Sequence, residues 1–207
     1  MNKKGVKSVY LIGPNYAAGK EAIAGFKESF EKNGGKVVKE LTLPFPNVEF
    51  QPLLTEVASL KPDAVFTFFA GGGAVKFVQD YAASGLGKTV PLLSSGFMTD
   101  GTLKAQGEAA QGLFTTLHYA DGLNTPKDNA FRENYSKNFP TMQPDVYAVQ
   151  GYDAAQLLEA GLKAVNGDVS KKDAMRSAMS SATIDSPRGP FTLSKAGNPI
   201  QDIYLRQ

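Results

Sequence analysis

Gly13, Gly19 and Lys20 are the residues of this chain that most invite a chemical reading. They lie in VYLIGPNYAAGKEA, where an apolar run, a glycine, a loop and a Gly-Lys pair lead into a helical stretch. That is the layout of a loop that wraps phosphates with successive backbone N–H groups. Such a loop needs four residues between its first glycine and the Gly-Lys pair, then Ser or Thr to hold Mg²⁺. Here Pro14, Asn15, Tyr16, Ala17 and Ala18 make five. Pro14 has no N–H to donate, and Glu21 stands where the hydroxyl should be and would repel a phosphate. No strand ends in the acid that would complete the Mg²⁺ site. What remains is a strand-to-helix loop at the carboxyl end of a strand, with Gly19 easing the helix start. Tyr16 is its large amphipathic side chain.

Two further loops offer chemistry. Phe69-Ala70-Gly71-Gly72-Gly73-Ala74 does not match the spacing of a dinucleotide fingerprint. It does predict a tight turn and a bare helix N-terminus, whose N–H groups and positive end would suit an anionic or carbonyl group. Ser94-Ser95-Gly96-Phe97-Met98-Thr99 places two large apolar side chains in a loop, which either plug the core or cover a ligand. The single histidine, His118, has no nucleophile elbow to serve, and a structural role is favoured for it. Glu108, Asp121 and Glu133 form no metal-like cluster.

Composition removes other classes. There is no cysteine, so disulfides, thiolate metal sites and cysteine nucleophiles are excluded. The 22 Lys+Arg against 20 Asp+Glu contain no long basic run, which argues against nucleic acid or an anionic membrane as partner. No window reaches the roughly 18 apolar residues of a membrane span. The charged opening MNKKG is not followed by an apolar stretch of signal-peptide length.

The elements that position these loops follow from period and punctuation. Strands are predicted at 6–12, 36–43, 64–69, 90–94 and 113–119, and helices at 16–32, 48–60, 73–84 and 99–110, the last with Thr99 as N-cap. Strand and helix alternate through short connections, which predicts an α/β fold: a doubly wound, five-stranded parallel sheet. Asp121–Pro126 (DGLNTP) breaks the alternation and reads as a crossing or hinge. Helices are predicted at 128–139, 147–165 and 171–182, the second turning Val149, Ala155, Leu158 and Leu162 towards a core. Short strands at 189–194 and 200–206 flank a Lys195–Asn198 turn. This tail has helices without the strands they would cover.

In collinear order, VYLIGPNYAAGKEAIAGFKESFEKNGGKVV, LKPDAVFTFFAGGGAVKFVQDYAASGL, VPLLSSGFMTDG, AAQGLFTTLHYADGLNTP and VYAVQGYDAAQLLEAGLKAV span nearly the whole chain. Together they resemble the extracellular solute-binding proteins of ABC importers, of the branched-chain amino-acid-binding type. The resemblance implies two α/β lobes joined by three crossings, with a small-molecule ligand closed between them. Residues 1–120 would be the second lobe, 121–190 a helical segment returning to the first lobe, and 191–207 a terminal strand crossing back. The chain would then be the C-terminal portion of a longer periplasmic protein whose signal peptide it lacks. Its partners would be a small-molecule ligand and the importer's membrane subunits. It would have no cofactor, no metal and no catalytic residue.

Carried over residue by residue, the family's contacts in this lobe come from the loops after strands one, three and four. They imply Asn15 and Tyr16, Ala70 and Gly71, and Gly96 and Phe97 as ligand-binding residues. Amino-acid binders carry an acid in the fourth-strand loop to pair the ligand ammonium, and Ser94-Ser95-Gly96-Phe97 has none. An ammonium buried without a counter-charge is costly. The resemblance therefore favours an aromatic carboxylate of the benzoate type over a branched-chain amino acid. A sensory ligand-binding domain of the same fold is the alternative, and a doubly wound enzyme a weaker one, since elbow, metal cluster and working phosphate loop are all missing. With their sheet absent, the apolar faces around Ala155, Leu158 and Leu162 are expected to fold back on the sheet lobe or to form a homodimer.

Overall fold

Val9, Tyr10, Leu11 and Ile12 are all completely buried, because the strand they form is covered on both faces. The computed structural model describes residues 5–46 and 49–207. Its strands are β1 (Ser8–Pro14), β2 (Lys36–Leu43), β3 (Ala64–Thr67), β4 (Leu92–Ser95) and β5 (Phe114–Leu117). They pair in parallel in the order β2-β1-β3-β4-β5. Between them run α1 (Ala17–Lys32), α2 (Gln51–Leu60), α3 (Gly71–Ala83) and a single turn α4 (Leu103–Gln106). The predicted start of α2 at Val48 lies outside the described residues.

The two sheet faces are filled differently. Tyr10, Ile12 and Val65 meet Phe50, Leu53, Leu54 and Val57 from α2 and its N-cap, and Ala74, Phe77, Val78 and Tyr81 from α3. On the other face Val9, Leu11 and Ala64 meet Ile23 and Phe30 of α1, with Phe26 stacked on Phe66 at 3.9 Å. α1 stops where Gly34 takes a positive φ of 82° and Gly35 lets the Phe30 ring approach, a Cβ there falling 2.3 Å from it.

The rest of the chain is α5 (Pro126–Asn138), α6 (Val146–Ala164), α7 (Lys172–Ser181), β6 (Thr192–Leu193), β7 (Pro199–Ile200) and β8 (Tyr204–Arg206). Thr125 caps α5 by accepting from the Asp128 N–H at 3.1 Å, and Asp145 caps α6 through the N–H groups of Tyr147 and Ala148. Gly161 lets α7 approach α6, since a Cβ there would lie 2.9 Å from Met175 and Met179. Two compact units result, Met1–Leu117 with Leu205–Gln207, and His118–Tyr204.

Three expectations are corrected. The strand predicted at 200–206 is two strands: Pro199–Ile200 closes an antiparallel hairpin with Thr192–Leu193, and β8 joins the edge of β5 to make the sheet six-stranded. Thr99 caps no helix, because Gly96–Met98 first makes a 3₁₀ turn and α4 begins only at Leu103, after Thr102. On α6 the inward face is Val146, Val149, Asp153 and Gly161, whereas Ala155 is exposed and Leu158 and Leu162 are 49% and 38% exposed. The helix is apolar on more than one side, so its spacing selects no single face.

Candidate functional site

β1, β3 and β4 are neighbours and parallel, so their carboxyl ends share one edge of the sheet. All six candidate residues, Asn15, Tyr16, Ala70, Gly71, Gly96 and Phe97, follow those three strands and lie along that edge. The strand order reverses at β1, so the chain leaves β1 towards one face and β3 towards the other. A crevice opens at such a point, and open α/β sheets bind ligands there.

The first loop owes its shape to close packing. A Cβ on Gly19 would sit 2.3 Å from the Pro14 carbonyl oxygen, and one on Gly13 would sit 2.9 Å from the Ile23 side chain. The two glycines thus seat α1 against the end of β1, a more specific task than easing a helix start. Pro14 is the last residue of β1, Lys20 is exposed, and no phosphate cradle forms. Tyr16, the extended N-cap of α1, lays its ring edge-on to Phe45 at 5.4 Å. Asn15 is exposed, its N–H donating to the Leu43 carbonyl at 2.7 Å.

The second loop ends in α3, whose N-cap is Ala70, extended and without a side-chain cap. Gly71 has φ +56°, a conformation that side chains disfavour, and nothing lies within 4 Å of a Cβ built on it. α1 and α3 therefore both present uncapped N-termini, with their partial positive charge, to the same sheet edge. Phe69 turns inward against Phe50 and Phe77, while Phe68 meets Phe97 of the third loop at 6.1 Å, ring edge to face. Sequence reasoning passed over Phe68. The signal was available: Phe68 and Phe69 end a run in which successive side chains point opposite ways.

Below these loops, hydroxyls tie the strand ends. Thr67 Oγ1 donates to the Ile12 carbonyl at 2.8 Å, within the buried sheet. The third loop carries an acid that sequence reasoning did not weigh, Asp100. Its carboxylate is buried and receives Arg206 Nη2 of β8 at 2.8 Å. Ser95 Oγ and Arg206 Nη1 are buried with no hydrogen-bond partner among the described residues.

A depression of about 1150 Å³ lies elsewhere in this unit. Gly5, Asp63, Pro91 and Gly112, which line it, precede strands, and Phe66, Leu93 and Phe114 floor it. Phe26 of α1 also lines it, and none of the six candidate residues does. In the other unit, His118 follows β5, its Nε2 3.1 Å from Gln150 Nε2. Asp153 pairs with Arg188 Nε at 2.8 Å, both buried, and Arg188 lies over the Phe191 ring at 4.2 Å. Tyr119 donates to the buried Asp128 at 3.0 Å; burial, then the Asp128 charge, holds its phenol well above the usual range. Among the described residues no His, Asp and Glu group could hold a metal, and no helix is long and apolar enough to cross a membrane.

Comparison with known proteins agrees with this arrangement. The chain is 51% identical to a solute-binding protein of an ABC transporter from R. palustris, solved in complex with benzoate, with a TM-score of 0.94 over 99% of this chain and 56% of that one. It is 28% identical, with a TM-score of 0.93, to a second such R. palustris protein, solved with 4-hydroxybenzoate, covering all of this chain and 57% of that one. Leu/Ile/Val-binding protein homolog 6 of Brucella melitensis is 30% identical over 99% of this chain and 53% of that protein. The chain thus spans about half the length of the curated relatives it matches. The match to the periplasmic binding protein family runs over residues 1–207. A parallel sheet with its candidate loops along one carboxyl edge, collinear with these relatives from end to end, makes this chain a member of the periplasmic binding protein family.

Proposed function

We propose that residues 1–120 are the ligand-binding second lobe of a solute receptor that hands an aromatic carboxylate to the membrane subunits of an ABC importer. In this reading the receptor works in the periplasm, residues 121–190 belong with its first lobe, and 191–207 carry the last crossing. The role is binding and release, without covalent chemistry.

The observation that carries the ligand class is the Phe68–Phe97 pair, an aromatic surface on two adjacent loops with no carboxylate beside it to spare. Asp100 is the nearest acid along the third loop, and Arg206 occupies it. An amino acid's ammonium would find no counter-charge there. A benzoate-type ligand needs a ring surface and a positive end, and Tyr16, Phe97 and the uncapped helix termini offer these. The benzoate bound to the 51% identical relative supports the reading. The name of the Brucella relative points to leucine, isoleucine and valine instead. The absence of a spare acid favours the former.

Calorimetry on a protein of the relatives' length carrying this chain tests it. Benzoate should bind at least ~100-fold more tightly than leucine, a difference of about 2.7 kcal/mol. Tight leucine binding with no response to benzoate or hydroxybenzoates would exclude the reading.

A further inference from the structure

We propose that Arg206 is a positioning residue that sets the shape of the third loop and with it the place of Phe97. The last step, from loop shape to ligand affinity, rests on the reading of Phe97 as a ligand-facing ring.

Gly96, at the start of the loop, is buried between two neighbours. A Cβ built on it would fall 2.6 Å from Leu117 Cβ of β5 and 2.8 Å from Arg206 Nη1 of β8. The guanidinium therefore lies against the backbone at the first residue of the loop. The loop then closes on itself: the Gly96 carbonyl accepts from Thr99 N at 3.0 Å, Asp100 N at 2.9 Å and Thr99 Oγ1 at 3.3 Å. Met98 is anchored in turn, its carbonyl accepting from Thr102 Oγ1 and Gln106 Nε2. At the far end Asp100 is held by Arg206 Nη2.

One guanidinium thus fixes both ends of a five-residue turn, one by steric contact and the other by a charge-assisted hydrogen bond. Phe97 is the half-buried side chain between those ends. Arg206 stands on a strand that ends the chain, and the boundary between the two compact units falls just before it, between Tyr204 and Leu205. A planar fork can press one nitrogen on Gly96 while another serves Asp100, and a lysine cannot.

The test places 4-fluorophenylalanine at position 97 alone and compares Arg206→Met, Arg206→Lys and Asp100→Asn with the parent chain. We expect the fluorine resonance to shift and broaden in all three, least in Arg206→Lys. Exchange of the Thr99 and Asp100 amides should rise by about 10-fold or more through local opening, while β1 amides stay protected. In the longer protein, benzoate affinity should fall by roughly 10-fold, about 1.4 kcal/mol. Asp100→Asn, which keeps the side chain's size and shape, carries the test if Arg206→Met does not fold. A parent-like fluorine line and parent-like exchange in Asp100→Asn and Arg206→Lys would overturn the proposal. A parent protein that ignores benzoate while the fluorine line still moves would sustain the positioning role and sink the ligand reading.

Discussion

Ser94 Oγ donates a 2.8 Å hydrogen bond to the carbonyl of Thr67, one strand away in the buried sheet. Thr67 in turn donates to Ile12 on the next strand. The two hydroxyls stitch the carboxyl ends of β1, β3 and β4 just beneath the loops that carry the candidate site. Removing one leaves a buried carbonyl short of a partner. Ser94→Ala should cost about 1–2 kcal/mol in denaturant unfolding. Thr67→Val should cost a similar amount, and the double variant less than the sum, because the bonds share Thr67.

Gly19 and Lys20 separate the close-packing role of the first loop from a phosphate role. Gly19→Ala drives a methyl into the Pro14 carbonyl and should destabilise by about 2–3 kcal/mol, the cost of overpacking. Lys20→Ala should change stability by less than about 0.5 kcal/mol, as surface substitutions do. A thermal shift on adding ATP and Mg²⁺ that Lys20→Ala abolishes would contradict this account.

How much of this was legible in sequence differs from element to element. β1 and β3 announced themselves through apolar runs, and alternation with helices implied a parallel sheet, but the β2-β1-β3 order is set by tertiary pairing that no local pattern spells out. Tyr16 and Phe97 could be named because large apolar side chains in loops are unusual. The Asp100–Arg206 pair could not, since its partners are distant in the chain and meet only because β8 is separate from the β6–β7 hairpin and joins β5. Thr99 misled because a hydroxyl before a helical pattern is the N-cap signal, and the 3₁₀ turn at Gly96–Met98 has no such signature. α6 misled because apolar residues surround it.

Asp63 gives the chain an acid-sensitive tie. One of its oxygens accepts the N–H of Lys7 at 2.9 Å and that of Ser8 at 2.8 Å. These bonds, Lys7's foremost, hold its carboxyl below the ordinary aspartate range. A depressed folded value means stability that is full above the unfolded value of about 3.9 and lost as pH falls through the folded one. Asp63→Asn should flatten the fall of stability below about pH 4, measured by urea titration across pH. An unchanged slope would remove Asp63 from the acid response.

The Asp153–Arg188 pair should behave as a buried pair does. Asp153→Asn or Arg188→Met alone should cost about 3–5 kcal/mol, because each strands a charge, while Asp153→Leu with Arg188→Met should recover most of it. Hydrogen exchange of α6 amides reads the effect within residues 118–204 without requiring the whole chain to unfold in one step.

Leu158 and Leu162 remain on the surface of α6, whereas Val149 on the same helix is fully buried. Leu158→Ser with Leu162→Ser should alter stability by less than about 0.5 kcal/mol each. Val149→Ala should cost about 2 kcal/mol through the cavity it leaves. We expect the chain to self-associate as concentration rises, and the double Ser variant to weaken that association in light scattering. Equal apparent masses for parent and variant at all concentrations would rule out this stripe as the contact.

Gly96 bears on how sequences related to this one can drift. Its missing side chain is the space that Leu117 and the Arg206 guanidinium occupy, and Asp100 is the anion that keeps that guanidinium in place. A side chain at 96 must clear Leu117 Cβ as well as displace the arginine, and loss of the arginine leaves the buried Asp100 carboxylate without its guanidinium. The three positions should therefore be inherited as a set. When they do change together, the shape of the loop between them, and the place of Phe97 on it, should change in the same step.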